Sequence, residues 1–432
     1  MRTGQDDGPD GRRFLMLQGP HGPFFGQMAD LLRDAGAEVW RVGFNRGDQA
    51  FWRRPGYIAF TAQPALWDDA CARLLDDLRI TDVVLYGDSR AIHVTAIGLA
   101  RDRRLRIHVF EEGYLRPYWV TYERGGSNGN SRLMALSLAD MRRALAGARM
   151  DQPPAPATWG DMREHVFYGA VYHFFVMALN RRYRNFYPHR GISVVREFRL
   201  HFRRFLLMPW HRLERALASW RIKHGGFPFH VVLLQLEHDA SFRAHSNFST
   251  MGDFIGLCLQ GFAEGAPKHH HLVFKAHPLD DERVALRTLI IDGARRRGLA
   301  TRVHFVRGGK LAGLLNAARS AVTVNSTSGQ QALWRGLPLR AFGRAIYSKP
   351  EFVSTQAIAD FFADPTRPDS RAYREFRHFL LETSQVPGGF YASRGRRHLL
   401  RQVIDMVLSD TDPYDALRSG TAAPRQQLFA MV

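Results

Sequence analysis

Residues 231–246 read VVLLQLEHDASFRAHS, and the way this stretch changes character midway decides the fold. Val231–Leu234 is a short, continuous apolar run of the kind that lies buried on both faces in a parallel sheet. Gln235 follows, and then Glu237, His238 and Asp239 arrive together. In an open α/β sheet the carboxyl ends of the strands are where ligands bind. The plain structural reading of Asp239 is a polar loop residue after a strand. A functional reading depends on what other strands bring to the same edge.

The same rhythm runs outward from this strand. Over residues 228–345, FHVVLLQL, HLVFKAHP, RVHFV and SAVTVNS read as strands. Helical patterns near Phe254–Ala263, Asp281–Arg297 and Ala312–Ala318, and another after Ser328, separate them. Residues 12–150 repeat the alternation. RRFLMLQG, AEVWRVGF, TDVVLYGDS and LRIHVFEEG are strands, with helices predicted from about Phe24 to Ala35 and from Ile92. Strands joined by helix-length connections predict parallel sheets with helices on their faces. The fold class is therefore α/β, with two Rossmann-like doubly wound domains. Two such halves facing a central cleft form an architecture that many nucleotide-sugar transferases use.

Between the halves the rhythm breaks. Residues 155–225 hold FYGAVYHFFVMALNRRYRNFYPHR and then VVREFRLHFRRFLLMPWHRLERALASWRIK, aromatics interleaved with arginine. Two readings stand: a helical linker packed on the domains, or a membrane-surface element with aromatic and arginine faces suited to anionic headgroups. The domain boundaries follow: 1–11 a disordered N-terminus, 12–150 an N-terminal Rossmann-like domain, 151–227 the basic aromatic insertion, 228–350 a C-terminal Rossmann-like domain, and 351–432 helices packing back.

At 432 residues the chain is long enough for two separate cores. Its net charge of +19, from 60 Lys and Arg against 41 Asp and Glu, favours anionic partners. Cys71 and Cys258 both sit in apolar helical patterns, as packed small side chains in a reducing compartment. No Cys or His spacing resembles a zinc site, and the run His269-His270-His271 is expected at the surface. The polar start is not expected to act as a signal peptide, and no apolar run is long enough to cross a bilayer. A cytoplasmic or membrane-peripheral protein is expected. The basic charge would also suit a nucleic-acid-binding protein, but no helix-turn-helix, zinc finger or RNA-binding motif is present, so no nucleic acid is expected as partner.

Four strand ends carry candidate chemistry. QGPHGPFF, residues 18–25, puts Gly19 and Gly22 in a turn before a helix, where backbone N–H groups approach an anion. FEEGYLRPYWVTYERGGSNGNS, residues 110–131, brings Glu111, Glu112 and Gly113 to a strand end, followed by a loop holding Asn128 and Asn130. A carboxylate there suits deprotonation of an acceptor hydroxyl. VFKAHPLD, residues 273–280, places Lys275 and His277 two apart before Pro278, a pair suited to a phosphate or leaving group provided the strand continues. VTVNSTSGQQALWRG, residues 322–336, gives Asn325, Ser326, Thr327, Ser328 and Gly329 at the start of a helix, where a plain N-cap would need only one of them.

Taken in order, FEEGYLRPYWVTYERGGSNGNS, QLEHD, FKAHPLD and VNSTSGQQALWRGLPLRAFGRAIYS closely resemble the bacterial capsule polysaccharide β-Kdo transferases of the KpsS/KpsC type, Kdo being 3-deoxy-D-manno-octulosonic acid. LQGPHGPFF and the GDSR at 87–90 resemble this family's first domain. The resemblance implies a GT-B transferase with CMP-β-Kdo as donor and neither metal nor cofactor. A single module resembles the KpsS type. This implies a (lyso)phosphatidylglycerol acceptor, initiation of the poly-Kdo linker, and a peripheral place on the cytoplasmic face of the inner membrane beside other capsule biosynthesis and export proteins. The family's QxxxD pattern, here Gln235 to Asp239, makes Asp239 the carboxylate that attacks the anomeric carbon, since donor and product share the β configuration. His277 would stabilise the leaving phosphate, with Lys275, Pro278 and Asn325–Gly329 holding CMP and Glu112 as a further catalytic acid or base.

Two rivals belong beside this. Glu111-Glu112-Gly113, His277-Pro278 and the Ser/Thr cluster also resemble motifs of bacterial CMP-sialic acid transferases, which invert configuration; Glu112 would then be the base. A non-catalytic capsule-assembly protein on the same fold is the other.

Overall fold

The computed structural model describes residues 11–146, 162–186, 194–280 and 282–421. The start expected to be disordered lies, up to residue 10, outside the described residues, as do residues 422–432. The chain divides into two compact units: residues 1–194 with 378–432, and residues 195–377.

The first unit opens with β1 (Arg13–Met16), α1 (Phe24–Asp34) and β2 (Glu38–Gly43). The short helix α2 (Arg46–Ala50), N-capped by Asn45, leads to β3 (Tyr57–Ala59) and α3 (Trp67–Asp77). Then follow β4 (Asp82–Tyr86), α4 (Ala91–Asp102), β5 (Arg106–Glu112), β6 (Trp119–Arg124) and α5 (Leu138–Ala144). Helix α6 (Met162–Ala178) comes from the aromatic stretch. It lays Tyr172 on Asn45, whose Nδ2 donates to the phenol oxygen at 2.7 Å.

The second unit takes α7 (Val194–Leu206) from Val195 onward and α8 (Met208–His224), then β7 (Phe229–Leu233), α9 (Ala240–His245) and α10 (Met251–Gly265). It continues with β8 (His271–Lys275), α11 (Leu286–Arg296), β9 (Val303–Val306), α12 (Ala312–Ala317), β10 (Ser320–Thr323), α13 (Ser328–Trp334), β11 (Leu339–Ala341) and α14 (Ile358–Ala363). Helix α15 (Ser370–Thr383) carries the chain back into the first unit, where β12 (Gln385–Pro387), α16 (Ser393–Leu408) and α17 (Pro413–Ser419) finish it.

Both sheets are doubly wound, as the apolar strand runs predict. The first has the order β12-β6-β5-β4-β1-β2-β3, the second β11-β10-β7-β8-β9. Every pairing in the second sheet is parallel; in the first, β6 and β12 are antiparallel additions at one edge. In β7 all five residues are buried, because helices cover both faces. One face packs on α10, α11 and α14 through Phe254, Phe262, Ile290 and Phe361. The other packs on α8 and α12 through Ile222 and Leu314. Helix α10 starts where it does because Thr250 and Asp253 form a reciprocal capping box. The first sheet is covered by α1 and α16 on one side and by α3 and α4 on the other. Cys71 and Cys258 are free and buried in these cores.

Candidate functional site

In the second sheet the chain runs outward from β7 in two directions, to β8 and β9 on one side and to β10 and β11 on the other. The switch point therefore lies between β7 and β10, the place where a crevice opens at the carboxyl ends. Lys275, Leu233 and Thr323 stand in register on β8, β7 and β10. Two residues beyond each stand His277, Gln235 and Asn325. The sheet thus brings most of the predicted donor residues to one edge.

Gln235 and Asn325 bridge the switch point. The Gln235 Nε2 donates to Asn325 Oδ1 at 2.7 Å, and the Asn325 backbone N–H donates to Gln235 Oε1 at 2.9 Å. Asn325 Nδ2 also donates to the carbonyls of Ser241 and His245, at 3.0 and 3.2 Å. Both amides are buried and occupied, so they fix the shape of the floor. Asp239 is exposed and N-caps α9, one carboxylate oxygen accepting from the Ser241 N–H at 3.2 Å. Glu237, left without a role in the sequence, accepts from the Met251 N–H at 2.7 Å and so ties this loop to the first residue of α10. The hollow between Gln235, His238, Met251 and Arg283 is about 20 Å³, room for one water and not for a sugar nucleotide.

On β8 the strand stops at Lys275, so the alternation that would set His277 on the same side does not continue. Instead the Leu279 N–H donates to His277 Nδ1 at 3.1 Å, and Pro278 follows in the turn. With Nδ1 accepting, a neutral His277 ring carries its proton on Nε2, the tautomer that donates to a phosphate oxygen. Lys275 is 4% exposed, and its Nζ donates to the Ala276 carbonyl at 3.0 Å. Among the described residues it has no carboxylate partner. Burial, aided by the nearby Arg215 charge, pushes its ammonium down to about 8. A buried cation without a counter-ion is costly unless an anion arrives.

The Asn325–Gly329 turn is held from behind by Tyr347, whose hydroxyl donates to the Ser326 carbonyl at 2.6 Å. Gly329 lies directly against that phenol. Ser326 Oγ accepts from the Ser328 N–H at 3.2 Å, Thr327 makes no side-chain cap, and residues 326–328 are half-buried. Arg215 and the Gly308-Gly309 turn after β9 complete the edge, the Arg215 side chain covering Gly309. The sequence held no signal for Arg215, one arginine within a basic run.

The first sheet has its own switch point, between β1 and β4. At the end of β1, Gln18 accepts from Arg90 at 2.9 Å and donates to Asp48 and Tyr172, each at 3.2 Å. Gly19 packs on the Phe25 ring, and Gly22 has φ +105° with Tyr168 over it, a conformation that favours glycine. Helix α6 thus roofs the turn expected to approach an anion. At the end of β4, Asp88 accepts from the Ser127 N–H at 2.8 Å and Asn130 Nδ2 at 3.1 Å, folding the 127–131 loop back onto the sheet. The Asn128 N–H donates to the Tyr114 hydroxyl at 2.6 Å. At the end of β5, Tyr86 donates to Glu112 at 3.1 Å, and Glu111 accepts from the Glu112 N–H at 3.1 Å. Gly113 is required sterically: a Cβ there would lie 2.1 Å from the Trp119 carbonyl oxygen. Glu111, Glu112, Gly113, Gly19, Gly22, Asn128 and Asn130 thus belong to one unit, and Gln235, Asp239, Lys275, His277, Pro278 and Asn325–Gly329 to the other.

Among the described residues no group of three or more His, Cys, Asp or Glu side chains is placed to hold a metal ion. The fold is thus an α/β protein whose second, parallel sheet gathers a buried lysine, a histidine and a hydroxyl-rich turn beside its switch point. The chain belongs to the capsule polysaccharide biosynthesis protein family, whose model matches residues 81–391. It is 28% identical to the capsule polysaccharide export protein KpsS of Escherichia coli, over 88% of this chain and 97% of that one. It is also 28% identical to the capsule polysaccharide modification protein LipB of Neisseria meningitidis serogroup B, over 88% of this chain and 91% of that one. Among solved structures, the β-Kdo 2,7-transferase of Thermosulfurimonas dismutans KpsC is 12% identical with a TM-score of 0.40, covering 90% of this chain and 99% of its own. Anabaena Alr3699/HepE with UDP and glucose is 13% identical with a TM-score of 0.33, covering 98% and 100%.

Proposed function

We propose that the chain is a capsule glycosyltransferase that moves β-Kdo from CMP-β-Kdo to a (lyso)phosphatidylglycerol acceptor, with retention, starting a poly-Kdo linker at the cytoplasmic face of the inner membrane. The observation that carries the reading is the edge of the second sheet: Gln235 and the Asn325–Ser328 turn flank its switch point, Asp239 caps the helix that follows Gln235, and Lys275 ends the adjoining strand with His277 in the turn two residues beyond. In this reading the CMP phosphate neutralises the buried Lys275 and accepts from His277 Nε2–H and the Ser326–Ser328 turn. These contacts strengthen as the leaving phosphate gains charge.

Asp239 attacks the anomeric carbon. The bond to the phosphate oxygen breaks, CMP leaves with the electron pair, and a glycosyl ester remains on the carboxylate. The acceptor hydroxyl then attacks the same carbon, its proton passing to a base for which Glu112 is the candidate, and the Asp239 carboxylate is released. Two inversions give net retention. Asp239→Asn tests this, since asparagine caps a helix as well as aspartate and cannot form the ester. Transfer is expected to fall at least 1,000-fold (about 4 kcal/mol of barrier) with CMP affinity unchanged; retained transfer removes Asp239 from the chemistry.

One observation favours a second reading. Asp239 already has structural work as the cap of α9, and an inverting transfer with Glu112 as base needs no more of it. Glu112→Gln abolishing transfer while Asp239→Asn leaves it intact decides for that reading.

A further inference from the structure

Helices α7 and α8 each turn large apolar side chains into solvent. On α7, Val195, Phe198, Phe202, Phe205 and Leu206 are each more than half exposed. At about 100° per residue they fall within one narrow stripe. On α8, Trp210, Leu213, Leu217 and Trp220 recur at steps of three and four and are exposed by 51–64%. The opposite side of α8 is the packed one: Ile222 and Ala218 join the core of the second unit with Phe229, Val273 and Val306. Soluble monomers rarely leave so many large apolar groups in one patch without a partner for it.

The charges around the stripe identify that partner. From Val194 to His224 the sequence has eight Lys and Arg against two Glu. One of the two, Glu214, is spent on the inner side, paired with Arg287 and Arg307 at 3.1 and 3.0 Å. On the helical wheel Arg196, Arg199 and Arg203 flank the α7 stripe, while exposed Arg212 and Arg221 border that of α8. Aromatic side chains with arginines beside them match the headgroup boundary of an anionic bilayer, where indole rings settle and guanidinium groups reach phosphate. No helix among the described residues is long and apolar enough to span a membrane.

From this complementarity we infer that the α7–α8 face docks in the headgroup layer of an anionic phospholipid bilayer. The inference rests on the reading above that the acceptor is an anionic phospholipid, and it names the surface that meets it. The same helix that turns Trp210 and Trp220 outward turns Arg215 inward, over Gly309 and close enough to Lys275 to lower its pKa.

The test is co-sedimentation of the full chain with vesicles of phosphatidylcholine alone or mixed with phosphatidylglycerol. Wild-type protein is expected on the mixed vesicles only, released by salt. Phe202→Ala, Trp210→Ala and Trp220→Ala combined should weaken that binding at least tenfold with unchanged circular dichroism, and Arg199→Glu with Arg212→Glu should do the same. Acceptor-independent release of CMP from CMP-β-Kdo should persist in both variants, so failure of docking is separable from failure of the transferase reading. Equal vesicle binding by all three proteins overturns the inference. So does a triple variant that turns a dimer into a monomer, by analytical ultracentrifugation, without loss of vesicle binding, because the face then joins two copies.

Discussion

In the proposed reading, Lys275 is the residue at which stability and function pull apart. Its folded pKa, near 8, lies below the usual lysine value, so between the two the unfolded chain holds its proton more firmly than the native state. Below about 8 the native protein carries a buried charge at a penalty, and raising the pH toward the unfolded value relieves it. Lys275→Met should therefore stabilise the unliganded protein at pH 7 by about 3 kcal/mol, read by denaturant unfolding. The same change should weaken CMP at least tenfold by calorimetry, and wild-type affinity should fall as the pH rises through 8. A methionine variant that is less stable and binds CMP normally would make Lys275 a structural residue. Asp239 behaves oppositely: Asp239→Ala should cost about 1 kcal/mol through the lost cap, a loss that Asp239→Asn avoids.

At the scale of elements, the opposite, amino-terminal edge of the second sheet is lined with histidine. His230 Nε2 meets His270 Nδ1 at 3.1 Å, and His271 Nδ1 meets His304 Nε2 at 2.9 Å beside the stacked Phe227 ring. Burial, with neighbouring positive charge, pushes His230 down to about 3 and His304 to about 4. The native state keeps these rings neutral while the unfolded chain protonates them near 6.5, so the stability they support is present above 6.5 and drains as the pH falls toward 4. Urea midpoints should drop across that window, and His230→Gln should flatten the dependence; a wild-type midpoint flat from pH 7 to 4.5 would contradict the assignment. The sequence placed the His269–His271 run at the surface, and His270 is in fact buried. A run of three polar residues gives no periodicity from which burial can be read. The long parallel strands were legible because both their faces are apolar. Strands β3, β11 and β12, three residues each, were not, since their pairing is set by neighbours distant in sequence. Strand β6 was hidden inside a loop-like stretch of Gly, Tyr and Arg. The site followed the same division: strand ends marked Lys275, His277 and Asn325, whereas the Gln235–Asn325 bridge and Arg215 depend on contacts across 90 and 60 positions.

For the whole molecule, charge acts at long range. The net charge of +19 adds long-range attraction for both an anionic donor and an anionic surface, so transfer to lipid should slow with added salt more steeply than CMP release does. The central claim is chemical and can be weighed directly. Incubated with CMP-β-Kdo and no acceptor, then quenched in acid and digested, the protein should yield a peptide spanning Asp239 heavier by one Kdo residue, and the adduct should vanish when acceptor is added before the quench. Efficient β-Kdo transfer with no such adduct on that peptide, under conditions that trap glycosyl esters, would contradict it.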